Sequence, residues 1–193
     1  MPDLRPTFFR RDALACAERL IGADFRLNGC RGRIVETEAY RAKDDPACHT
    51  FFRRKARDFV AGHDAGAAYV YLNYGMHWLL NFLTKKGDNP GFVLIRAIQP
   101  LDGVETMRRR RANTADRNLC SGPGKLTRAF AIDGRHHGRT LVTEPGVRIS
   151  LSPRRAPVLR DGRIGISRAA DFPWRFTHAE LQEWTSRKAR PPA

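Results

Sequence analysis

Two stretches with a two-residue period constrain the fold more than any other part of the chain. In Arg33-Ile34-Val35-Glu36-Thr37-Glu38-Ala39-Tyr40, strand alternation puts Ile34, Glu36, Glu38 and Tyr40 on one side. Val35, Thr37 and Ala39 fall on the other. The acidic side also carries Ile and Tyr while the opposite side is small and apolar, so both faces are expected to be partly covered. In the second stretch, Val70 and Leu72, then Leu79, Leu80, Phe82 and Leu83, spell two strands around Asn73-Tyr74-Gly75-Met76. Hairpin tips are usually polar, and this one carries Tyr and Met.

The rest of the chain alternates helix and strand signals. Arg10 to Gly22 reads as a helix capped by Asp12 and ended by Gly22. Residues 24–31 read as a strand with a turn at Asn28-Gly29. Residues 41–66 read as a long irregular segment, of the kind that is more often functional than not. Phe92 to Ile98 is an apolar strand interrupted by Arg96. Asp102 with Glu105 predicts a capping box for a helix that ends in Arg108-Arg109-Arg110-Arg111. Ser121 caps a further helix over Leu126–Ile132, with Pro123 in its first turn. Strands are predicted at 141–152 and 163–167, and a loose basic tail at 188–193. No repeat or linker divides the chain, so residues 1–193 are expected to form one domain.

Charge narrows the partner. A formal net charge of +15 repels itself in a compact state and calls for an anionic partner, nucleic acid first and an acidic membrane surface second. No stretch approaches the ~20 apolar residues of a membrane span. The N-terminus lacks the apolar core of a signal peptide, which predicts a cytoplasmic protein. Cys16, Cys30, Cys48 and Cys120 show no zinc or CxxC spacing and read as reduced thiols.

Against that basic background Glu36 and Glu38 stand out. On a solvated strand face they would be two carboxylates ~7 Å apart. Facing a polyanion they weaken binding, so they need another reason, such as general-base activation of a water. Glu36, Glu38 and His49 also form a candidate metal set by residue type, without supporting spacing. Cys48 beside His49 is weak evidence for a thiol nucleophile. Tyr69 and Tyr71 share a strand face and can be plain core. Tyr74 and Met76 suit a wedge inserted between stacked bases. Asn81, among apolar neighbours, is either a satisfied buried amide or a reader of a base edge. Arg96 must be paired if buried, with Glu38 or Glu36 as natural partner. Arg53, Arg54 and Arg57 are candidate phosphate contacts. So are Ser121, Gly122 and Lys125 at a helix start, although Gly122-Pro123-Gly124-Lys125-Leu126-Thr127 is not a P-loop.

Several motifs together, in order and spacing, bring in a family. Arg33 to Tyr40, Tyr69-Val70-Tyr71-x-x-Tyr74-Gly75-Met76, Asn81, Leu94-Ile95-Arg96-Ala97 and Leu119 to Leu126 resemble the alkyladenine (3-methyladenine) DNA glycosylase family, from about Leu14 to about Phe176. The resemblance implies a single α+β domain with a curved, mostly antiparallel sheet flanked by helices, a protruding hairpin, no metal and no cofactor. It implies a monomer that flips a damaged purine from double-stranded DNA and hydrolyses its glycosidic bond, leaving an abasic site. Carried over by motif, Glu38 is the general base and Arg96 helps hold the water. Tyr40, His49 and Tyr71 line the flipped base, Tyr74 is the wedge, and Asn81 crowds a guanine amino group. Two departures follow. Lys55-Ala56-Arg57-Asp58 replaces a Thr-Pro-Arg-Asn-like element, and Thr177 to Trp184 looks helical where a closing strand is expected. Two rival readings remain: a non-catalytic basic nucleic-acid-binding protein, and a metal-dependent nuclease using Glu36, Glu38 and His49.

Overall fold

A computed structural model describes residues 3–190, and every strand pairing in it is antiparallel. Helix α1 (Ala13–Leu20) starts where the Asp12 carboxylate accepts the Leu14 N–H. Strands β1 (Asp24–Leu27) and β2 (Cys30–Arg41) follow, joined by a turn with Asn28 and Gly29 at positive φ. The segment expected to be irregular instead folds into two helices, α2 (His49–Phe52) and α3 (Arg54–Gly62). The first is a single turn, too short to print a period on the sequence. The second buries only Ala56 and Phe59, and its basic residues hide that stripe.

Strands β3 (Ala68–Asn73), β4 (His77–Lys86) and β5 (Asn89–Asp102) form a meander. Helices α4 (Val104–Arg110), α5 (Asp116–Leu119) and α6 (Pro123–Ala129) come next, then short strands β6 (Arg148–Ser150), β7 (Val158–Asp161) and β8 (Arg175–His178). Residues 141–143 are a 3-10 turn, so the strand expected over 141–152 shrinks to β6, and 163–167 carries no strand. The capping box does not form: Asp102 ends β5, Gly103 holds the N-cap position in a left-handed conformation, and Glu105 pairs with Arg108 instead. Ser121 does not cap α6 either. Beyond Phe176 the closing strand exists as β8, and only Gln182–Trp184 turns helical. In the tail, the Ala189 and Arg190 N–H groups are bonded to Gln182 and Asp161, while 191–193 lie outside the described residues.

The sheet runs β3-β4-β5-β2-β1-β6, with β8 on β2 and β7 on β8. One whole edge of β2 follows β5. Its other edge pairs with β1 over residues 30–33, then with β8 over 36–38. Register shifts flank Glu36, and they turn Ile34 to the main core, away from the glutamates it was expected to join. Thr37 and Ala39 share that core side, where the Thr37 hydroxyl donates to the Ala17 carbonyl. Among the described residues no helix is long and apolar enough to cross a membrane. The fold is thus a single compact α+β domain with one antiparallel sheet flanked by helices.

Candidate active site

The sheet face opposite the main core carries Glu36, Glu38 and Tyr40 from β2, Tyr69 and Tyr71 from β3, Asn81 from β4 and Arg96 from β5. Period two places each set on one side. Helix α2, the loop 164–168 and the start of α6 wall this face into a cavity of about 980 Å³. Tyr40, His49, Tyr71, Asn81, Arg96 and Ile164 all line it.

Glu36 and Glu38 are both completely buried, yet their surroundings differ. Glu36 accepts from Arg96 Nε (3.3 Å), Arg175 Nη1 (3.0 Å), Ser186 Oγ (2.9 Å) and the Ser186 N–H (2.7 Å). A carboxylate offers about four acceptor positions, and Glu36 meets four donors, three of them crowded on Oε1 and the Ser186 N–H on Oε2. Glu38 accepts three bonds: Tyr40 Oη at 2.7 Å and Arg96 Nη1 at 3.2 Å on Oε2, and the Ile164 N–H at 2.7 Å on Oε1. One position on Oε1 is left. Arg96 bridges the two glutamates, as its burial requires. Burial works to lower the Arg96 pKa, but the charges of Glu38 and Glu36 outweigh it and raise the pKa above its ordinary value. Burial and then the Glu38 charge push the Tyr40 phenol well up, so it stays a donor.

The aromatic wall is continuous. The His49 ring lies 4.6 Å from Tyr71, and its Nδ1 is 3.2 Å from the Tyr69 hydroxyl. Burial, then the Arg53 charge, lower His49 from the usual 6.5 to about 4, so the ring is neutral at pH 7. Burial, with Tyr69 next, raises Tyr71 as well. Asn81 is buried, lines the cavity and donates to the Tyr69 carbonyl at 3.2 Å. At the hairpin tip Tyr74 (φ 50°) and Gly75 (φ 69°) form a tight turn, closed by the Met76 N–H donating to the Asn73 carbonyl at 3.0 Å. Tyr74 is 82% exposed and Met76 70%.

The predicted basic residues divide. Arg53 lines the cavity with its guanidinium 5.7 Å from the Tyr71 ring. Arg54 faces Asp58 at 3.7 Å, and Arg57 donates to the Thr50 carbonyl at 2.8 Å. Gly122 and Lys125 line the opposite rim. Ser121 lies behind them, bonded to Lys125 Nζ at 3.3 Å. A Cβ on Gly124 would stand 2.8 Å from His77 Cβ, so the start of α6 sits directly on the hairpin. Two readings with little support in the sequence find none here. Glu36 and Glu38 are occupied by arginine and N–H donors, and no group of three His, Cys, Asp or Glu among the described residues is placed to hold a metal. Cys48 is buried, its pKa raised by burial, and its Sγ lies 3.2 Å from the Thr50 hydroxyl oxygen, which suits packing and not nucleophilic attack.

The sequence matches the family described as methylpurine-DNA glycosylase over residues 7–182. The chain belongs to this family. A protein named "Putative 3-methyladenine DNA glycosylase" from Agrobacterium fabrum is 45% identical over 190 residues, covering 98% of this chain and 95% of that one. Relatives of the same name are 45% identical in Rhizobium meliloti (88% and 89% covered) and 44% identical in Nitrosospira multiformis (87% and 86% covered).

In this glycosylase family member, sequence reasoning missed the side chains that brace the site from a distance. Arg163 is wholly buried in a fork on Asp45 (2.5 and 2.7 Å) and lies 4.6 Å from the Tyr40 ring and 5.1 Å from Trp174. Its chain neighbour Ile164 supplies the N–H on Glu38. Arg175 and Ser186 hold Glu36 in the same way. These partners stand more than a hundred residues from the groups they hold, so no local signal marked them.

Proposed function

We propose that this protein, a DNA glycosylase and hence a hydrolase by family, is monofunctional and removes damaged purines from duplex DNA, acting as a monomer. The lesion class is alkylated and deaminated purine: 3-methyladenine, 7-methylguanine, hypoxanthine and ethenoadenine. The observation that carries the reading is the one remaining acceptor position of Glu38, behind a cavity whose wall is neutral and aromatic. An everted purine fits between Tyr40, His49 and Tyr71. A cationic alkylated ring gains from such electron-rich faces. Water bonded to Glu38 gives up a proton to the carboxylate as its oxygen attacks C1′. The glycosidic C–N bond breaks with its electron pair going to the base. The oxocarbenium character that builds on the sugar is stabilised by the same negative charge, and Arg96 fixes where that charge lies.

Other roles follow from position. Tyr74, with Met76, fills the gap left in the stack and offsets part of the few kcal/mol that flipping costs. Asn81 crowds the exocyclic amino group of normal guanine. Arg53, Arg54, Arg57, Ser121, Gly122 and Lys125 are the proposed backbone contacts, Arg53 and Lys125 foremost because both face the cavity. The test is a duplex with a single ethenoadenine or hypoxanthine, incubated with protein in EDTA and then treated with hot alkali. Base release in EDTA, seen as alkali-dependent cleavage, is expected. Scission that needs added metal, or binding without release, would overturn the reading in favour of a nuclease or a DNA-coating protein.

A further inference from the structure

The large apolar side chains that remain exposed among the described residues are Phe51, Phe52, Leu72, Tyr74 and Met76. Three belong to the β3–β4 hairpin and two to α2, and both elements meet at the same cavity mouth. The proposed wedge accounts for Tyr74 and Met76. It leaves Phe51 (44% exposed) and Phe52 (53%) without a role, two phenylalanines in water on a chain of net charge +15. Isolated exposed apolar residues need no explanation, but a pair beside a functional cavity does.

We infer that Phe51 and Phe52 form a second base-stacking platform, which receives an unpaired base next to, or opposite, the everted nucleotide. This rests on the glycosylase reading above. Phe52 lines the cavity and stands edge-on to His49 (5.5 Å, 72°), and His49 packs on Tyr71. Phe52 is thus the outer end of an aromatic run that leads inward. The platform is held firmly. The Thr50 hydroxyl donates to the Ala42 carbonyl (3.2 Å), Arg57 donates to the Thr50 carbonyl (2.8 Å), and the Arg53 N–H closes the turn on His49 (2.7 Å). A backbone fixed this way presents both phenylalanines without having to be ordered when something stacks on them. Charge selects the occupant. Arg53, Arg54, Lys55 and Arg57 are exposed on the segment that follows the two rings, and the Arg53 guanidinium lies 5.7 Å from Phe52. Aromatic faces framed by cations suit a base with its phosphate, the arrangement used by proteins that hold single strands.

The experiment uses lesion duplexes with 2-aminopurine 5′ to the lesion, 3′ to it, or opposite it, with wild type and with Phe51→Ala/Phe52→Ala. Both rings are exposed, so the double variant is expected to keep the wild-type melting temperature. The platform predicts a fluorescence change in one of the three positions that the double variant abolishes. It also predicts roughly 10-fold weaker binding of lesion duplex and of a single-stranded oligonucleotide. Which position responds tells a flanking base from the estranged one. Unchanged affinity and fluorescence in the double variant would overturn the platform even where wild type releases base, and would point to a protein partner for the two rings. If wild type releases no base from any lesion, the glycosylase reading fails, and the single-strand affinity of the double variant still decides the platform.

Discussion

At the scale of single residues, Glu36 and Glu38 differ in what their lone pairs meet. Glu36 receives four donors and joins Arg96 and Arg175 into a buried ionic brace. Glu38 receives three and keeps one acceptor position. Glu38→Gln retains size and hydrogen bonding but loses the charge and the basicity. We expect single-turnover base release to fall by at least about 100-fold while lesion binding holds or tightens, read by gel shift. Full activity would remove Glu38 from the mechanism. His49 gives a second prediction. Its pKa is lowered to about 4 in the folded protein, against about 6.5 when unfolded, so below pH 6.5 the unfolded chain takes up the proton first. The stability held by neutral His49 is therefore fully present above pH 6.5 and is lost as pH falls from there toward 4. His49→Gln should flatten the melting temperature over that window relative to wild type, and an unchanged slope would mean that other groups set it.

At the scale of elements, the loop between β7 and β8 is the part least tied down by regular structure, yet it supplies the N–H on Glu38. Its anchor is the buried Arg163–Asp45 pair. Asp45→Asn leaves a buried guanidinium short of its counter-charge, a change that costs about 3–5 kcal/mol. In a chain of this size that is a drop on the order of 10 °C in melting temperature. Base release should fall as well, because the loop carrying Ile164 slackens; an unaltered melting point would show that the pair is replaceable. This brace also marks the limit of what could be read beforehand. The alternation that exposed Glu38 and Tyr40, and the apolar strand that forced Arg96 to find a carboxylate, are local patterns with one physical solution. The register shift beside Glu36 inserts no special residue, so Ile34 was placed on the wrong side of β2. Helix α2 was hidden because a four-residue turn has no period. Arg163, Arg175 and Ser186 were invisible because their partners arrive through the sheet topology and not through sequence spacing.

At the scale of the whole molecule, the charge is unevenly used. Most carboxylates are committed to arginines, in pairs such as Arg31–Asp24, Arg41–Asp12 and Arg160–Glu18, while Arg53, Arg111, Lys125 and Arg168 line the cavity without a carboxylate partner among the described residues. Those cations are able to release counterions from DNA phosphates. Four such contacts give a slope of about −3.6 in log affinity against log salt, at about −0.9 each. We expect at least that slope for lesion duplex, measured by anisotropy between low and moderate salt. Arg53→Ala/Lys125→Ala should make it shallower by about 1.8. The chemistry should respond differently. Glu38 is completely buried, and its interactions with Arg96, Tyr40 and the Ile164 N–H are short and shielded from solvent, where mobile ions screen little. Single-turnover release at saturating protein should therefore stay nearly constant while affinity falls. If the release rate fell in parallel with affinity, the carboxylate would have to be reached by salt, and a shielded base could not be what cuts the bond.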